Sequence, residues 1–330
     1  MTVHILGSLN YHNETIVEPI IDELNKNHQS VMWHKPIPAN EEGANVHIEA
    51  CTGITIDYWD EMMEYKRAFK KNDTVFILDF WNPIIFQLKF WSQRDDLNLK
   101  FFTIHHGSSH LPGDFASQPG YEWTSAFEDA WFQCYDKVFF GSYNAYDLVR
   151  TLSFVNGVVS YLPIDYIKNV KSKCSEKIRM PKTLIMPLRL DNDKGAEEFF
   201  TVVRNNPDYI FNCLKFHSAV EIPNLPNLIA HDAMERVALF ELMSECEYVI
   251  SLAKQETFGY GVLEAVSMGC KPILFNSPDN CYHEMYEEEA TFYDHNKLKI
   301  SDYDTKTNLR LRPTVLATPA QEIIVREIIK

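Results

Sequence analysis

Short runs of consecutive apolar residues recur along the chain, and the segments between them place apolar positions at helical spacing. In the first half the runs are Val3–Leu6, Ser30–Trp33, Thr74–Leu78, Lys100–Ile104, Lys137–Phe140 and Val158–Leu162. Helical periodicity falls near 14–27, 58–71, 83–92, 123–135 and 143–152. The runs are apolar throughout rather than alternating, as strands covered on both faces are. Strands of this kind alternating with helices predict a parallel sheet wrapped by helices.

A polar, lysine-rich stretch from Asp165 to Lys182 interrupts the pattern. The alternation then resumes. Strands are predicted at Thr183–Pro187, Tyr209–Leu214, Tyr248–Leu252, Pro272–Phe275 and Ala290–Phe292, and helices at 194–205, 232–245 and 259–268. A last helix is signalled by Thr318 as N-cap, Pro319 at its first position and Gln321 completing a capping box. The expected α/β architecture is two doubly wound Rossmann-like domains, residues 1–165 and 182–330, joined by a linker at 166–181, with the last helix able to cross back to the first domain. A chain of 330 residues is long enough for two such cores. Ligands in these folds sit at the carboxyl ends of the strands, here a cleft between the domains.

The net charge is −15, and it is unevenly divided. Residues 1–165 hold 11 Lys and Arg against 22 Asp and Glu, so the first half carries −11 and the second −4. An acidic first half argues against a polyanion lying broadly across it. Lys66, Arg67, Lys70 and Lys71 share one helical face and read as solvated. The seven cysteines are scattered and form no C-x-x-C pair, which predicts free thiols in a reducing compartment and no zinc site. No apolar stretch is long enough to span a bilayer, and Met1–His4 leads straight into a strand-like run, so a cytoplasmic protein is expected.

The segment Gln255-Glu256-Thr257-Phe258-Gly259-Tyr260-Gly261-Val262-Leu263-Glu264-Ala265 carries the chemistry. It links a buried strand to a helix that stops at Gly269, an arrangement that binds phosphate. Gly259 and Gly261 allow close backbone approach, and the amides of the first helical turn point at the ligand. Glu256 lies in the loop, while Glu264 lies about a turn and a half into the helix with its carboxylate directed back. Two acceptor-only carboxylates beside an anion site suit a ligand with both hydroxyls and phosphates, such as a nucleotide sugar.

This segment resembles the E-x7-E signature of retaining GT-B glycosyltransferases, specifically glycosyltransferase family 4. The resemblance implies that Glu256 contacts the donor sugar's hydroxyls, that Phe258, Gly259 and Tyr260 offer backbone amides to sugar and phosphate, and that Glu264 binds the ribose. The segment Pro187-Leu188-Arg189-Leu190-Asp191-Asn192-Asp193-Lys194-Gly195 is similar to the family's G-R…K-G segment, with Pro187 in place of glycine. Arg189 and Lys194 would then clamp the diphosphate and stabilise the charge of the leaving group. Phe102-Thr103-Ile104-His105-His106 resembles the family's T-x-H position, with His105 facing the donor sugar and His106 as the alternative. Leu162-Pro163-Ile164-Asp165 resembles its hinge turn, and Ser142 sits where it often has a structural serine. Gly7 stands for the glycine pair at the donor phosphate.

The implied reaction transfers a hexosyl or pentosyl group to a hydroxyl with retention. It proceeds by front-face substitution without a covalent intermediate, a cofactor or a metal. His105, His106 and His110 lack an acidic partner at metal-ligand spacing, and Asp191-Asn192-Asp193 reads as a turn rather than a D-x-D metal site. The acceptor is expected to be a saccharide or lipid-linked glycan. One alternative is a hydroxymethylated base in DNA, with Trp81, Trp91, Phe101 and Phe102 as stacking surfaces if they are not core. Another is a non-catalytic nucleotide-sugar-binding protein.

Overall fold

The computed structural model describes residues 2–6, 13–34, 63, 66–78, 80–82, 84–112, 114–117, 119–215, 220–306, 309–312, 315 and 317–330. Its contacts divide the chain into two compact units, one of Met1–Ile164 with Thr318–Lys330, the other of Asp165–Ala317.

The first unit is built on β1 (Thr2–Leu6), β2 (Ser30–His34), β3 (Thr74–Ile77), β4 (Lys100–His105), β5 (Lys137–Phe140) and β6 (Gly157–Val159). Its helices are α1 (Glu18–Lys26), α2 (Ile84–Arg94), α3 (Thr124–Phe132) and α4 (Tyr143–Leu152), with a π-helical turn at Asn13–Val17 before α1. The strands form one parallel sheet in the order β2-β1-β3-β4-β5-β6. Every residue of β3 is buried, as expected of a strand covered on both faces. The core on one side joins Ile77, Phe80, Ile85, Leu88, Phe101, Trp131, Phe132 and Phe140. Ser142 caps α4, its hydroxyl accepting from Ala145 N at 3.2 Å. Trp81, Trp91, Phe101 and Phe102 are all buried core residues, which removes them as stacking surfaces. Much of the helix expected at 58–71 lies outside the described residues.

The second unit contains α5 (Tyr166–Lys171), β7 (Met180–Met186), α6 (Ala196–Asn205), β8 (Ile210–Leu214), β9 (Leu228–His231), α7 (Arg236–Glu245), β10 (Cys246–Ser251), α8 (Tyr260–Ser267), β11 (Lys271–Phe275), α9 (Tyr282–Met285) and β12 (Thr291–Phe292). Its parallel sheet runs β12-β11-β10-β7-β8-β9. From β7 the chain first builds outward through β8 and β9, then returns to pair β10 on the other side of β7, with Tyr248 beside Leu184 and Val249 beside Ile185. The carboxyl ends of β7 and β10 therefore meet at the point where the winding reverses, the position at which doubly wound sheets bind ligands.

Three local expectations are revised. The stretch expected as a linker contains α5, whose Tyr166 and Ile167 are buried. β9 was not foreseen, because its four residues are only half-buried or exposed and carry no continuous apolar signal. The last helix, α10 (Ala320–Ile329), starts after Pro319, which takes the N-cap position with ψ 132°. Thr318 therefore does not cap it, and Gln321 falls at the second helical position, so the capping box does not form. This helix belongs to the first unit, where it packs on α1 and Glu327 accepts from Lys137 Nζ at 2.5 Å.

Candidate functional site

Two loops at the winding reversal of the second unit bring the sequence candidates together. The loop after β7 carries Arg189 and Lys194, and the loop after β10 carries Glu256. Lys194 Nζ donates to Glu256 Oε2 at 3.3 Å and to the Gln255 carbonyl at 3.1 Å. The loops are also tied through their backbones, Lys254 N donating to Asp193 O at 3.1 Å.

Glycine permits this closeness. Gly195 has φ 73°, and a Cβ there would come within 2.4 Å of the Leu252 carbonyl. Gly259 has φ 74°, and its Cβ would meet Tyr282 at 3.0 Å. Both occupy the left-handed region that side chains resist. Pro187 packs against Gly261, where a Cβ would lie 3.1 Å from its carbonyl oxygen.

Glu256 is held at both ends of its peptide. Its N–H donates to Asp279 O at 3.4 Å, and its carbonyl accepts from Cys281 N at 3.0 Å. Between these residues the fully buried Asn280 donates its amide to Ala253 O at 3.0 Å and to Phe275 O at 2.8 Å. One side chain thus joins the loop after β10 to the end of β11.

Two cations and three carboxylates meet at these loops. Arg189 Nη1 lies 3.0 Å from Asp191 Oδ2, and Lys194 Nζ lies 3.4 Å from Asp193 Oδ2. Burial works against the Lys194 charge, but the carboxylates of Glu256 and Asp193 outweigh it and hold the ammonium above the ordinary lysine value. Two helices begin beside these loops. The first turn of α6 carries Glu197 and Glu198, which already complement its dipole. The first turn of α8 has no acidic residue, and no side chain caps it at Gly259. The amide end of α8 is therefore the better anion seat.

Glu264 projects from α8 and is held from α5. Its Oε1 accepts from Tyr166 Oη at 2.5 Å. Burial raises the Glu264 carboxyl, and the Tyr166 bond and the Arg236 charge pull it back only in part. Arg236 stacks over the Tyr166 ring at 5.3 Å, and Tyr260 packs between Tyr166 and Phe258 with ring centroids 6.0 and 5.0 Å apart.

The remaining candidates, His105 and His106, belong to the first unit. His105 ends β4, but its ring is buried and stacks on Phe140 at 4.7 Å beside Phe80 and Phe132. Desolvation pushes it down to about 3, and neither ring nitrogen has a hydrogen-bond partner among the described residues. Within the first unit His105, the residue expected to face the donor sugar, is a buried histidine. His106 is half-buried and bonds the Leu78 carbonyl at 3.1 Å, burial pushing it down to about 4. In the same unit the buried Glu128 accepts from Ser109 N at 2.8 and 2.9 Å through its two oxygens, and burial raises its carboxyl to about 7. Gly7 lies outside the described residues.

Sequence reasoning missed Tyr166, Arg236 and Asn280. Tyr166 sits in the stretch read as a linker, and Arg236 opens a helix without a motif. Asn280 acts by bonding two main-chain carbonyls, which leaves no pattern in the sequence. An N-terminal aromatic in a segment of lysines was the one available signal, for Tyr166.

No family model matches the chain. Its structure is similar to that of sucrose-phosphate synthase from Thermosynechococcus elongatus, at 12% identity and a TM-score of 0.62, over 99% of this chain and 94% of that one. It is likewise similar to the E. coli trehalose-6-phosphate structure bound with UDP-2-fluoro glucose, at 11% identity and a TM-score of 0.61, over 99% and 96% of the two chains. The pneumococcal O-GlcNAc transferase GtfA in complex with UDP and GlcNAc matches 81% of this chain and 54% of its own, at 14% identity and a TM-score of 0.53. With two parallel six-stranded sheets, the fold is GT-B, the class of these glycosyltransferases.

Proposed function

We propose that the chain is a retaining glycosyltransferase that moves a sugar from a nucleotide-sugar donor to an acceptor hydroxyl on a saccharide or lipid-linked glycan. The observation that carries this reading is the convergence of Lys194, Arg189 and Glu256 at the carboxyl ends of β7 and β10, beside the uncapped amide end of α8. In this reading Arg189, Lys194 and the α8 amides take the diphosphate, Glu256 holds the sugar hydroxyls, and Glu264 with Tyr166 takes the ribose. The acceptor oxygen bonds to the anomeric carbon as the bond to the phosphate oxygen breaks. The acceptor proton passes to that departing oxygen, so no protein base is required. Negative charge grows on the diphosphate in the transition state, where preorganised cations and amides count most. They supply that positive charge without a metal. No helix among the described residues is long and apolar enough to cross a membrane.

UDP donors come first for testing, since the similar structures are described with UDP-2-fluoro glucose and with UDP. One further similar structure, of trehalose-6-phosphate synthase, is described as addressing glycosyl transfer with retention. The test is donor hydrolysis and transfer, assayed with UDP-, GDP-, ADP- and CMP-sugars in wild type and in Lys194→Ala. Turnover of one donor, lost in the variant, supports the reading. Turnover of none, or activity indifferent to Lys194, contradicts it.

A further inference from the structure

Asp193 Oδ2 stands between the two cations of the candidate site, 3.4 Å from Lys194 Nζ and 3.8 Å from Arg189 Nη2. One anionic oxygen shared by an ammonium and a guanidinium is the arrangement that a bridging phosphate oxygen takes. The carboxylate is displayed on a turn whose backbone is fixed. Lys194 N donates to Asp191 O at 3.1 Å, Gly195 N to Asn192 O at 3.2 Å, and Asp193 O accepts from Lys254 N. The Asp193 side chain is 23% exposed, so it can turn out to water without unpacking a core.

We propose that Asp193 is an internal counter-ion that the nucleotide's diphosphate displaces on binding and that returns as the product leaves. The inference rests on the donor-site reading above. Its physical basis is charge balance. Arg189 and the partly buried Lys194 repel each other, and Asp193 offsets that repulsion from between them, with Glu256 pairing Lys194 at 3.3 Å on its other side. Once a diphosphate lies on the same two cations, Asp193 becomes a neighbouring like charge and weakens the complex. The carboxylate thus lowers affinity for the diphosphate, substrate and product alike, and speeds product departure. Asp191, whose Oδ2 is 3.0 Å from Arg189 Nη1, contributes to the same balance from the guanidinium side.

This role has a diagnostic sign. If Asp193 only shapes the turn, removing its charge loosens diphosphate binding or leaves it unchanged. If it is a displaced counter-ion, removing its charge tightens binding. The experiment is calorimetric titration of the full chain with inorganic pyrophosphate and with UDP, GDP and ADP, in wild type, Asp193→Asn and Asp193→Ser, with Asp191→Asn alongside. Both Asp193 variants are expected to bind pyrophosphate and the preferred nucleotide roughly tenfold more tightly, and Asp191→Asn by a smaller factor. In steady state the donor KM falls and kcat does not rise. Serine also favours turns, so Asp193→Ser decides the matter if the asparagine variant folds poorly. Unchanged or weaker binding in folded Asp193 variants overturns the inference and leaves the donor site intact. A wild-type chain that binds none of the probes overturns the donor-site reading, and the inference with it.

Discussion

Glu256 and Lys194 are 62 positions apart in sequence, yet Oε2 lies 3.3 Å from Nζ, because each sits in a loop that follows one of two neighbouring parallel strands. Both side chains are mostly buried, so each variant of the pair has a separate signature. Glu256→Ala leaves Lys194 with Asp193 and the Gln255 carbonyl, and costs about 1 kcal/mol of stability. Lys194→Ala strands a part-buried carboxylate and costs about 1–3 kcal/mol. Both variants are expected to stay folded and to lose about a hundredfold or more in turnover. Chemical denaturation beside a transfer assay checks this. Full activity in either folded variant rules out the site assignment.

Tyr166→Phe removes the 2.5 Å hydrogen bond to Glu264 Oε1. That bond lowers a carboxyl that burial has raised, so its loss raises Glu264 further. The acid limb of the pH–rate profile is expected to move to higher pH, with donor KM rising more than kcat falls. A profile that coincides with wild type separates Tyr166 from Glu264's role.

Asn280→Ala leaves the Ala253 and Phe275 carbonyls without its amide and removes the acceptor of Tyr282 N. Unfolding stability is expected to fall by about 2–3 kcal/mol, and turnover to fall with it because Glu256 is strung between Asp279 and Cys281. A denaturant melt reads the first effect, and activity measured well below the transition reads the second. A variant as stable as wild type contradicts the tie.

The first unit's stability should fall with acid. Unfolded histidine titrates near 6.5, whereas folded His105 and His106 are held at about 3 and about 4. Between those values and 6.5 the unfolded chain binds more protons, so stability drops as pH drops. Glu128 acts in the opposite sense. Its folded value near 7 against 4.5 unfolded gives stability that is present below pH 4.5 and lost as pH rises through 7. Two histidines outweigh one carboxylate between pH 4.5 and 6.5. Denaturant melts across that window are expected to show stability rising with pH, His105→Phe to reduce the slope by about one proton, and Glu128→Gln to steepen it. An unaltered slope in His105→Phe contradicts the buried, neutral ring.

Strands buried on both faces were legible because their signal is local: Thr74–Ile77 and Tyr248–Ser251 are apolar runs and need no partner to be read. The half-buried β9 was not, since its place at the sheet's edge leaves the side chains partly in water. Lys194, Glu256 and the glycines were legible because charge and left-handed backbone are properties of residue type. His105 shows the limit of that logic. Its position at a strand end is readable, but which face the ring takes depends on the rings of Phe80, Phe132 and Phe140, which come from other elements. Tyr166 and Asn280 act through contacts with residues of other elements, and such contacts exist only after folding.

The proposed nucleotide-sugar site lies on the loops after β7 and β10. Thermal denaturation of wild type and Lys194→Ala with a panel of UDP-, GDP-, ADP- and CMP-sugars, each beside its bare nucleotide, tests it most directly. A ligand at a hundred times its Kd adds about 2.7 kcal/mol to the folded state. One nucleotide family is expected to raise the wild-type Tm by several degrees and to leave Lys194→Ala nearly unmoved. No rise with any donor, or an equal rise in the variant, contradicts it.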